Sequence, residues 1–375
     1  MKNSSTSKPQ SFSKRRDRID FTLLVLVVLL LIIGLLLLYS TSTYNGRVKF
    51  HDPAYYFKKQ LFATLLGLMA LYLVSQMDYH VIARFALPLY LCSLGLSTAV
   101  LFFGQEYNGS KRWLSLGPLS FQPSEFAKVA VVILLAHFIS ESKKRTDSLW
   151  FMVKTMGVLL PIVGLVGTNN LSTAIIILGI GVILIFVANP KYLPFVGVGA
   201  AGVGFVAIFL SMESYRLERL AIWREPEKYE KGFQTIQGLY AIGSGGIFGK
   251  GLGSSLQKLG FVPEAQNDMI FSIICEELGL FGAVCVILLF VLMLWRMMVI
   301  ANNAKDLYGA LLVTGIMSHI AIQVVLNIAV VTNTIPNTGV ILPFISYGGT
   351  SLVFLMAEMG LALSVSKGIR LDTIE

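Results

Sequence analysis

Two carboxylates lie close together in the segment Pro263-Glu264-Ala265-Gln266-Asn267-Asp268, where a polar stretch meets a long apolar run. If this segment is helical, Glu264 and Asp268 are spaced i,i+4 and share one face. Neighbouring carboxylates raise each other's pKa, and partial removal from water raises it further, so one could act as a general base near neutral pH. The same residues fit an ordinary helix N-terminus, with Pro in the first turn and acids favoured by the helix dipole. Spacing alone leaves both interpretations open.

Further ionisable residues lie in apolar runs, where each costs about 2.5–3.5 kcal/mol to insert into a membrane and therefore suggests a function. They are Glu125, Lys128, Glu276, Glu277, His319 and Glu358. Glu125 and Lys128 are spaced i,i+3 and could form either a structural ion pair or a substrate contact. Adjacent Glu276 and Glu277 point about 100° apart on a helix, so at most one faces a given cavity. Interhelical hydrogen bonding is the simplest interpretation of His319, Asn169, Asn170 and Asn327.

The elements that must position these residues are long apolar helices. The chain of 375 residues is 55% hydrophobic and only 14% charged, whereas a soluble domain has about 25% charged residues. The uncharged run from Phe21 to Tyr39 would reach about 28 Å as a helix, roughly one bilayer core. It exceeds the apolar core of a signal peptide and is interpreted as a retained first helix. Further spans are predicted near residues 57–75, 83–103, 124–139, 153–168, 171–188, 193–210, 269–295, 308–332 and 351–366.

Ten spans place both termini on the same side of the membrane. Lys and Arg are concentrated in the segments that share a side with the N-terminus, so both termini are predicted to be cytoplasmic. The chain then divides into a basic tail (1–20), a transmembrane domain (21–366) and a short C-terminal tail (367–375). The predicted fold class is an all-α polytopic membrane protein with about ten helices in one bundle. A large extracytoplasmic loop, about 211–268, separates helices 7 and 8.

This loop is the largest polar stretch and the expected location of function. Its charge-rich first part is compatible with a helix, which the glycines of 243–246 and 249–253 are predicted to interrupt. The glycines could form a flexible loop or a phosphate cradle, although neither GxGxxG nor GxxxxGK[ST] is present.

Composition also disfavours several other kinds of site. The three cysteines lie in apolar runs and imply no disulfide framework, and the four histidines lack the spacing of a metal site. The net charge of +9 is explained by membrane orientation, so no nucleic-acid partner is expected.

Several motifs follow one another along the chain beyond residue 100. They are Lys111-Arg112-Trp113-Leu114, Phe121-Gln122-Pro123-Ser124-Glu125-Phe126-Ala127-Lys128, Ala241-Ile242-Gly243-Ser244-Gly245-Gly246 with Gly249-Lys250-Gly251, Pro263-Glu264 through Asp268-Met269-Ile270-Phe271, Glu276-Glu277-Leu278-Gly279, and Leu342-Pro343-Phe344-Ile345-Ser346-Tyr347-Gly348-Gly349. In order and spacing they resemble the shape, elongation, division and sporulation family, which includes FtsW, RodA and SpoVE. Residues 334–340 and 344–346 look nearer to its division and sporulation members than to its elongation members, and FtsW-like division members are the nearest of these.

The resemblance implies a ten-helix bundle that polymerises lipid II into glycan strands at the outer face of the bacterial cytoplasmic membrane, at the division septum. It also implies a class B penicillin-binding protein and other division-complex membrane proteins as partners. The family's catalytic acidic residue falls on Asp268, which we interpret as the general base, and Glu264 supports it. One departure is Asn170, which stands where relatives commonly carry an acidic residue. An ionic role at that position is therefore in doubt.

In this reaction, the acceptor 4-hydroxyl loses its proton as it attacks the anomeric carbon and a lipid pyrophosphate leaves. Lys, Arg or a divalent ion such as Mg²⁺ or Mn²⁺ could stabilise that leaving group. Further candidates for substrate binding or support are Lys111, Arg112, Gln122, Glu125, Lys128, Arg216, Arg219, Lys250, Glu277 and Ser346.

Two other functions stay open at this stage. A lipid II flippase or another transporter would place charged residues deep in broken helices. A division scaffold without catalytic activity would tolerate the replacement Asp268→Asn.

Overall fold

The computed structural model describes residues 19–107, 110–116, 119–142, 148–189 and 214–369, together with scattered positions between 191 and 204. Nine helices in this part of the chain are long and apolar enough to cross a membrane. They are α1 (Phe21–Phe50), α2 (Tyr55–Gln76), α4 (Ala86–Phe103), α5 (Pro123–Glu141), α6 (Leu149–Asn169), α7 (Leu171–Ala188), α10 (Ile270–Asn302), α11 (Leu307–Val331) and α12 (Gly349–Ser366). Three other helices are α3 (Tyr79–Arg84), α8 (Ser214–Arg224) and α9 (Phe233–Gly245). The polytopic helical class is confirmed; the span predicted near 193–210 lies outside the described residues.

Polar side chains fix where several of these helices begin. Asp20 caps α1, because its Oδ1 accepts a hydrogen bond of 2.7 Å from the backbone N–H of Leu23. Its Oδ2 accepts a second bond, of 2.8 Å, from Arg296 on α10. Asn170 caps α7 in the same way through Thr173, at 3.2 Å. Asparagine therefore retains the capping function that an acidic residue would have at position 170.

The helices pack around α5, most of which is buried. It contacts α4, α7 and α11, while α2 packs against α12 and α1 packs against α2 and α10. The outer helices expose large apolar side chains, as expected where a membrane protein faces lipid.

The segment between α11 and α12, residues 332–348, folds back into the bundle. It passes so close to α1 that a Cβ on Gly34 would lie 2.5 Å from the carbonyl oxygen of Phe344. Irregular backbone inside a membrane protein needs internal hydrogen-bond partners. Gln60 provides them by donating to the carbonyl of Ser346 at 3.3 Å and accepting from the N–H of Gly348 at 3.2 Å.

A small antiparallel sheet between α4 and α5 departs from the predicted all-α architecture. Its strands are β1 (Gln105–Tyr107), β2 (Ser110–Leu116) and β3 (Leu119–Phe121), in the order β1-β2-β3. Gln105 pairs with Trp113, and Leu114 pairs with Phe121. These residues are too polar for a span, and pairing satisfies their backbone groups at the membrane surface.

The glycine-rich segment after α9 is docked onto α10. Both predictions for it, a flexible loop and a phosphate cradle, are wrong, because the N–H groups of Lys250 and Gly251 donate to the carbonyls of Glu276 and Glu277 at 2.9 Å. The predicted break also begins too early, since α9 continues to Gly245. In turn, α10 is interrupted at Gly279, whose φ of 67° frees the N–H of Leu280 to donate to the carbonyl of Gly246.

Candidate active site

Asp268 lies in a turn just before α10, at the end of the bundle that the distribution of Lys and Arg predicts to lie outside. The residue is only 8% exposed, and a Cβ on Gly339 would lie 4.0 Å from its Oδ2. Burial raises the pKa of this carboxyl to about 7, and the negative charge of Glu264 adds to the rise. A hydrogen bond from its own backbone N–H and the positive charge of Arg219 lower the pKa and so reduce this rise. The group is thus poised to take up and release a proton near neutral pH.

The segment around Asp268 is a series of turns, so the predicted helical i,i+4 face is wrong. The predicted N-terminal turn beginning at Pro263 is also wrong, because α10 begins at Ile270. Glu264 instead adopts a left-handed conformation with φ of 53°. The amide of Asn267 donates to the Glu264 carboxylate, and Lys49 lies 3.8 Å from it. Glu264 therefore shapes the turn as well as adding negative charge near Asp268.

Asn327 on α11 holds the backbone of Asp268 in place, a role that sequence reasoning missed. Its buried Nδ2 donates to the carbonyl of Asp268 at 2.8 Å and to that of Val340 at 2.7 Å. One turn earlier on the helix, Gln323 donates to the carbonyl of Ile341 at 3.0 Å. These amides tie the Asp268 turn to the segment that carries Gly339. The only sequence signal was two amide side chains spaced i,i+4 in an apolar run.

Helix α8 brings a cation into the electrostatic surroundings of Asp268. Arg219 donates to the carbonyl of Asn337 at 3.1 Å, and Trp223 donates to that of Asn333 at 3.0 Å. Both bonds link α8 to residues 332–348, called here the in-folded segment, which includes the glycine facing Asp268. The side chain of the other α8 candidate, Arg216, lies outside the described residues.

Lys111 and Arg112 line a small cavity together with Asn169 and Asn170. Arg112 donates to the carbonyl of Asn169 at 3.1 Å. Two residues beyond Asn170, Ser172 donates to the carbonyl of Thr338 at 2.9 Å. Thr338 precedes the glycine that faces Asp268, so this hydrogen bond links the start of α7, next to the cavity, to the turn beside the carboxylate.

Lys250 and Glu277, two further candidates, are engaged in ion pairs at α10. Lys250 lies 2.7 Å from Glu276, and Lys258 lies 2.7 Å from Glu277. Ser40 on α1 also donates to Glu277, at 2.9 Å. The two adjacent glutamates therefore hold different partners, as their angular separation predicted. Lys250 and Glu277 therefore belong to these two ion pairs, called here the α10 clamp, and neither is hydrogen-bonded to Asp268.

Glu125 and Lys128 belong to a buried polar chain inside the membrane bundle. Their side chains lie 3.0 Å apart, and Lys128 donates to Gln323 at 3.3 Å. His319 lies within 2.9 Å of Gln323 and 2.8 Å of Glu358. This arrangement favours the structural ion pair for Glu125 and Lys128, and it agrees with interhelical hydrogen bonding by His319.

The last two candidates, Gln122 and Ser346, order backbone near the site. Gln122 precedes α5 and donates to Ser124 at 3.1 Å. Ser346 accepts from the N–H of Leu342 at 2.9 Å and so stabilises the in-folded segment. Within the described residues, no group of three His, Cys, Asp or Glu side chains is arranged to hold a metal ion.

Comparison with known proteins relates this architecture to a family. Residues 21–370 match the cell cycle protein family of FtsW, RodA and SpoVE. The chain is 40% identical to the stage V sporulation protein E of Bacillus subtilis, over 93% of this chain and 97% of that protein. It is 37% identical to the probable peptidoglycan glycosyltransferase FtsW of Trichlorobacter lovleyi, over 94% of both chains.

Solved structures show the same fold. The rod shape determining protein RodA of Thermus thermophilus superposes with a TM-score of 0.70 at 29% identity, over 94% of this chain and 98% of RodA. A second structure is a chain of a peptidoglycan synthase complex that coordinates polymerisation and crosslinking. It superposes with a TM-score of 0.79 at 28% identity. That match covers 93% of this chain and 98% of the other. The protein is therefore a member of the FtsW, RodA and SpoVE family of polytopic membrane proteins.

Proposed function

We propose that the protein is a peptidoglycan glycosyltransferase that polymerises lipid II at the outer face of the cytoplasmic membrane. The observation that carries the proposal is the Asp268 carboxyl, which is buried at the outer end of the bundle and has a pKa raised to about 7. Such a group is substantially ionised at neutral pH and can still accept a proton effectively. Relatives named as peptidoglycan glycosyltransferases support the reaction class.

In the proposed reaction, the Asp268 carboxylate accepts the proton of the acceptor 4-hydroxyl as that oxygen attacks the donor's anomeric carbon. The bond between this carbon and the pyrophosphate oxygen breaks, and the configuration at the carbon inverts. Asp268 then releases the proton to solvent. A single displacement of this kind needs one base and no covalent enzyme intermediate, in agreement with one carboxyl of raised pKa.

Cations beside the carboxylate turn are the proposed stabilisers of the leaving pyrophosphate. Arg219 is close enough to influence Asp268 electrostatically, while Lys111 and Arg112 line the cavity next to the start of α7. Among the described residues, no group of three His, Cys, Asp or Glu side chains is arranged to hold a metal ion without further ligands. Mg²⁺ is usually bound by one or two carboxylates together with substrate phosphates, so Glu264 and Asp268 would need the pyrophosphate as a further ligand.

The test is glycan polymerisation from purified lipid II in liposomes, comparing the wild-type chain with Asp268→Asn. Each is measured with and without a matched class B penicillin-binding protein. We expect polymer from the wild type and a loss of at least about 100-fold in the variant, since general base catalysis contributes about 10²–10⁴-fold. Equal rates from both chains would remove Asp268 as the base.

Lipid II translocation is the second candidate function, because of the buried polar chain in α5, α11 and α12. Ionisable side chains within a bundle are characteristic of transport pathways as well as of structural pairs. The same liposomes are therefore assayed for translocation, with Glu358→Gln as the variant. Translocation by the wild type that Glu358→Gln abolishes, in the absence of polymerisation, would favour the transporter. Normal cell division by Asp268→Asn would favour a scaffold.

We further propose that the protein acts at the division septum, beside a class B penicillin-binding protein and other division-complex membrane proteins. The structural similarity to a chain of a peptidoglycan synthase complex supports such a transpeptidase partner. Fluorescent fusions test the septal location, and co-purification from membranes tests the partner. Reporter fusions at each end test the proposed cytoplasmic location of both termini.

A further inference from the structure

Residues 246–261, called here the interfacial segment, have the opposite polarity to an ordinary water-facing loop. Its two lysines pair with glutamates of α10 at 2.7 Å; Lys258 is 6% exposed, while the Lys250 side chain is 33% exposed. Its large apolar side chains turn outwards, with exposed fractions of 82% for Phe248, 63% for Ile247 and 62% for Leu252. Leu256, Leu259 and Phe261 are exposed as well. Lysines normally face water, and clustered exposed apolar side chains mark a contact with lipid or protein.

Backbone hydrogen bonds fix the depth of the segment along α10. The N–H of Lys250 donates to the carbonyl of Glu276, and the N–H of Phe281 donates to that of Ile247. Glu276 and Phe281 lie on either side of the break in α10 at Gly279. Beyond this break, the helix continues from Leu280 to Asn302, about 35 Å, whereas a hydrocarbon core is about 30 Å thick. This continuous stretch is long enough to span the core, which places the break and its contacts with the segment at the outer boundary.

The apolar surface of the segment is continuous with the lipid-facing surface of α10. Leu280 and Phe281, which are hydrogen-bonded neighbours of the segment, are themselves exposed, as are Val284 and Leu288 farther along the helix. Since α10 is a membrane span, this exposed face contacts lipid acyl chains. The outward side chains of the segment extend the same face towards the headgroups.

We propose that the interfacial segment is embedded in the outer leaflet, with Ile247, Phe248 and Leu252 among the lipid acyl chains. The ion pairs of Lys250 and Lys258 with α10 neutralise its charges, although the Lys250 side chain is still 33% exposed. The segment also packs against α1, because a Cβ on Gly260 would lie 2.8 Å from the Tyr44 ring. It thereby anchors the chain between α9 and the Asp268 turn at a fixed depth. The inference does not depend on the proposed reaction.

Spin-label accessibility tests this placement in the full-length chain. The native residues Cys92, Cys275 and Cys285 are replaced by Ala, and a nitroxide is attached at Phe248→Cys or Leu252→Cys. Leu288→Cys is the lipid-facing reference, and Lys228→Cys, in an exposed polar turn, is the aqueous reference. The chains are reconstituted in vesicles of phosphatidylethanolamine and phosphatidylglycerol. Collisions with oxygen and with a water-soluble nickel chelate are then measured by power saturation.

We expect labels at 248 and 252 to match the Leu288 reference, with high oxygen and low nickel accessibility. Nickel accessibility equal to that at Lys228 would place the segment in water and overturn the proposal. Low accessibility to both reagents would mean that protein covers the patch and would overturn it equally; protein dilution then identifies a second copy. If Phe248→Cys does not fold, Leu256→Cys provides the same measurement, because that side chain is also exposed.

Discussion

The pKa of Asp268 predicts both the pH dependence of activity and an unusual effect of removing this residue on stability. With a pKa of about 7, the carboxyl is about 10% ionised at pH 6 and about 90% ionised at pH 8. If Asp268 is the general base, the polymerisation rate should rise about tenfold over this range, with a midpoint near pH 7. An unburied Asp would be fully ionised throughout and would give a flat profile.

The same shift makes the ionised carboxyl costly to the fold. A rise from 3.8 to about 7 corresponds to about 4 kcal/mol. The folded state holds the proton more tightly than the unfolded state, so this contribution to stability is present below about pH 4 and is lost as pH rises to about 7. The Asp268→Asn variant has no ionisable group at this position, so it does not lose this contribution to stability as the pH rises. The Asp268→Asn variant should therefore be more stable than the wild type at pH 8, by up to about 4 kcal/mol.

Two measurements on the same purified chains check this reasoning. Initial rates of lipid II polymerisation are recorded from pH 6 to pH 8 for the wild type, and thermal unfolding in detergent is followed at pH 4 and pH 8 for wild type and Asp268→Asn. We expect Asn to raise Tm at pH 8 and the two Tm values to converge at pH 4. A flat rate profile together with an unchanged or lowered Tm at pH 8 would refute the assignment of a buried, protonatable base.

Three further predictions concern the neighbours of Asp268 and the α10 clamp. Glu264→Gln removes a negative charge that raises the pKa of Asp268, so the midpoint of the pH–rate profile should move below that of the wild type. Asn327→Ala leaves two buried carbonyls unsatisfied, at about 1–3 kcal/mol each, and should lower Tm and the polymerisation rate together. Glu277→Gln should lower unfolding stability by about 3–5 kcal/mol because it leaves the buried Lys258 without a counter-charge. The double variant Glu277→Gln with Lys258→Met should recover much of this loss in the same unfolding assay.

Local composition was sufficient to predict the spans. Helices α1, α2, α4, α5, α6, α7, α10, α11 and α12 lie where apolar runs were predicted, because the length and hydrophobicity of a run are properties of contiguous residues. Helix boundaries were less accurate. The apolar run was predicted to end at Tyr39, but helix α1 continues eleven residues further, to Phe50. Polar side chains mark the end of an apolar run but do not by themselves end a helix.

The sequence also singled out Asp268, because an acidic motif at the end of an apolar run is a local signal. Its conformation was predicted incorrectly. The left-handed φ of Glu264 and the hydrogen bonds from Asn267 favour turns over the helix that i,i+4 spacing suggested.

Tertiary structure alone decided which polar residues meet. Asn327 bonds to Asp268 across 59 residues of sequence, and Lys258 pairs with Glu277 only because the glycine segment docks on α10. The pKa of Asp268 was likewise beyond a residue-by-residue prediction, since it depends on burial by distant parts of the chain. The sequence thus determined which segments are apolar and long enough to span a membrane, and it singled out the carboxylate at the start of α10. Packing between distant segments determined the burial that raises the pKa of this carboxylate.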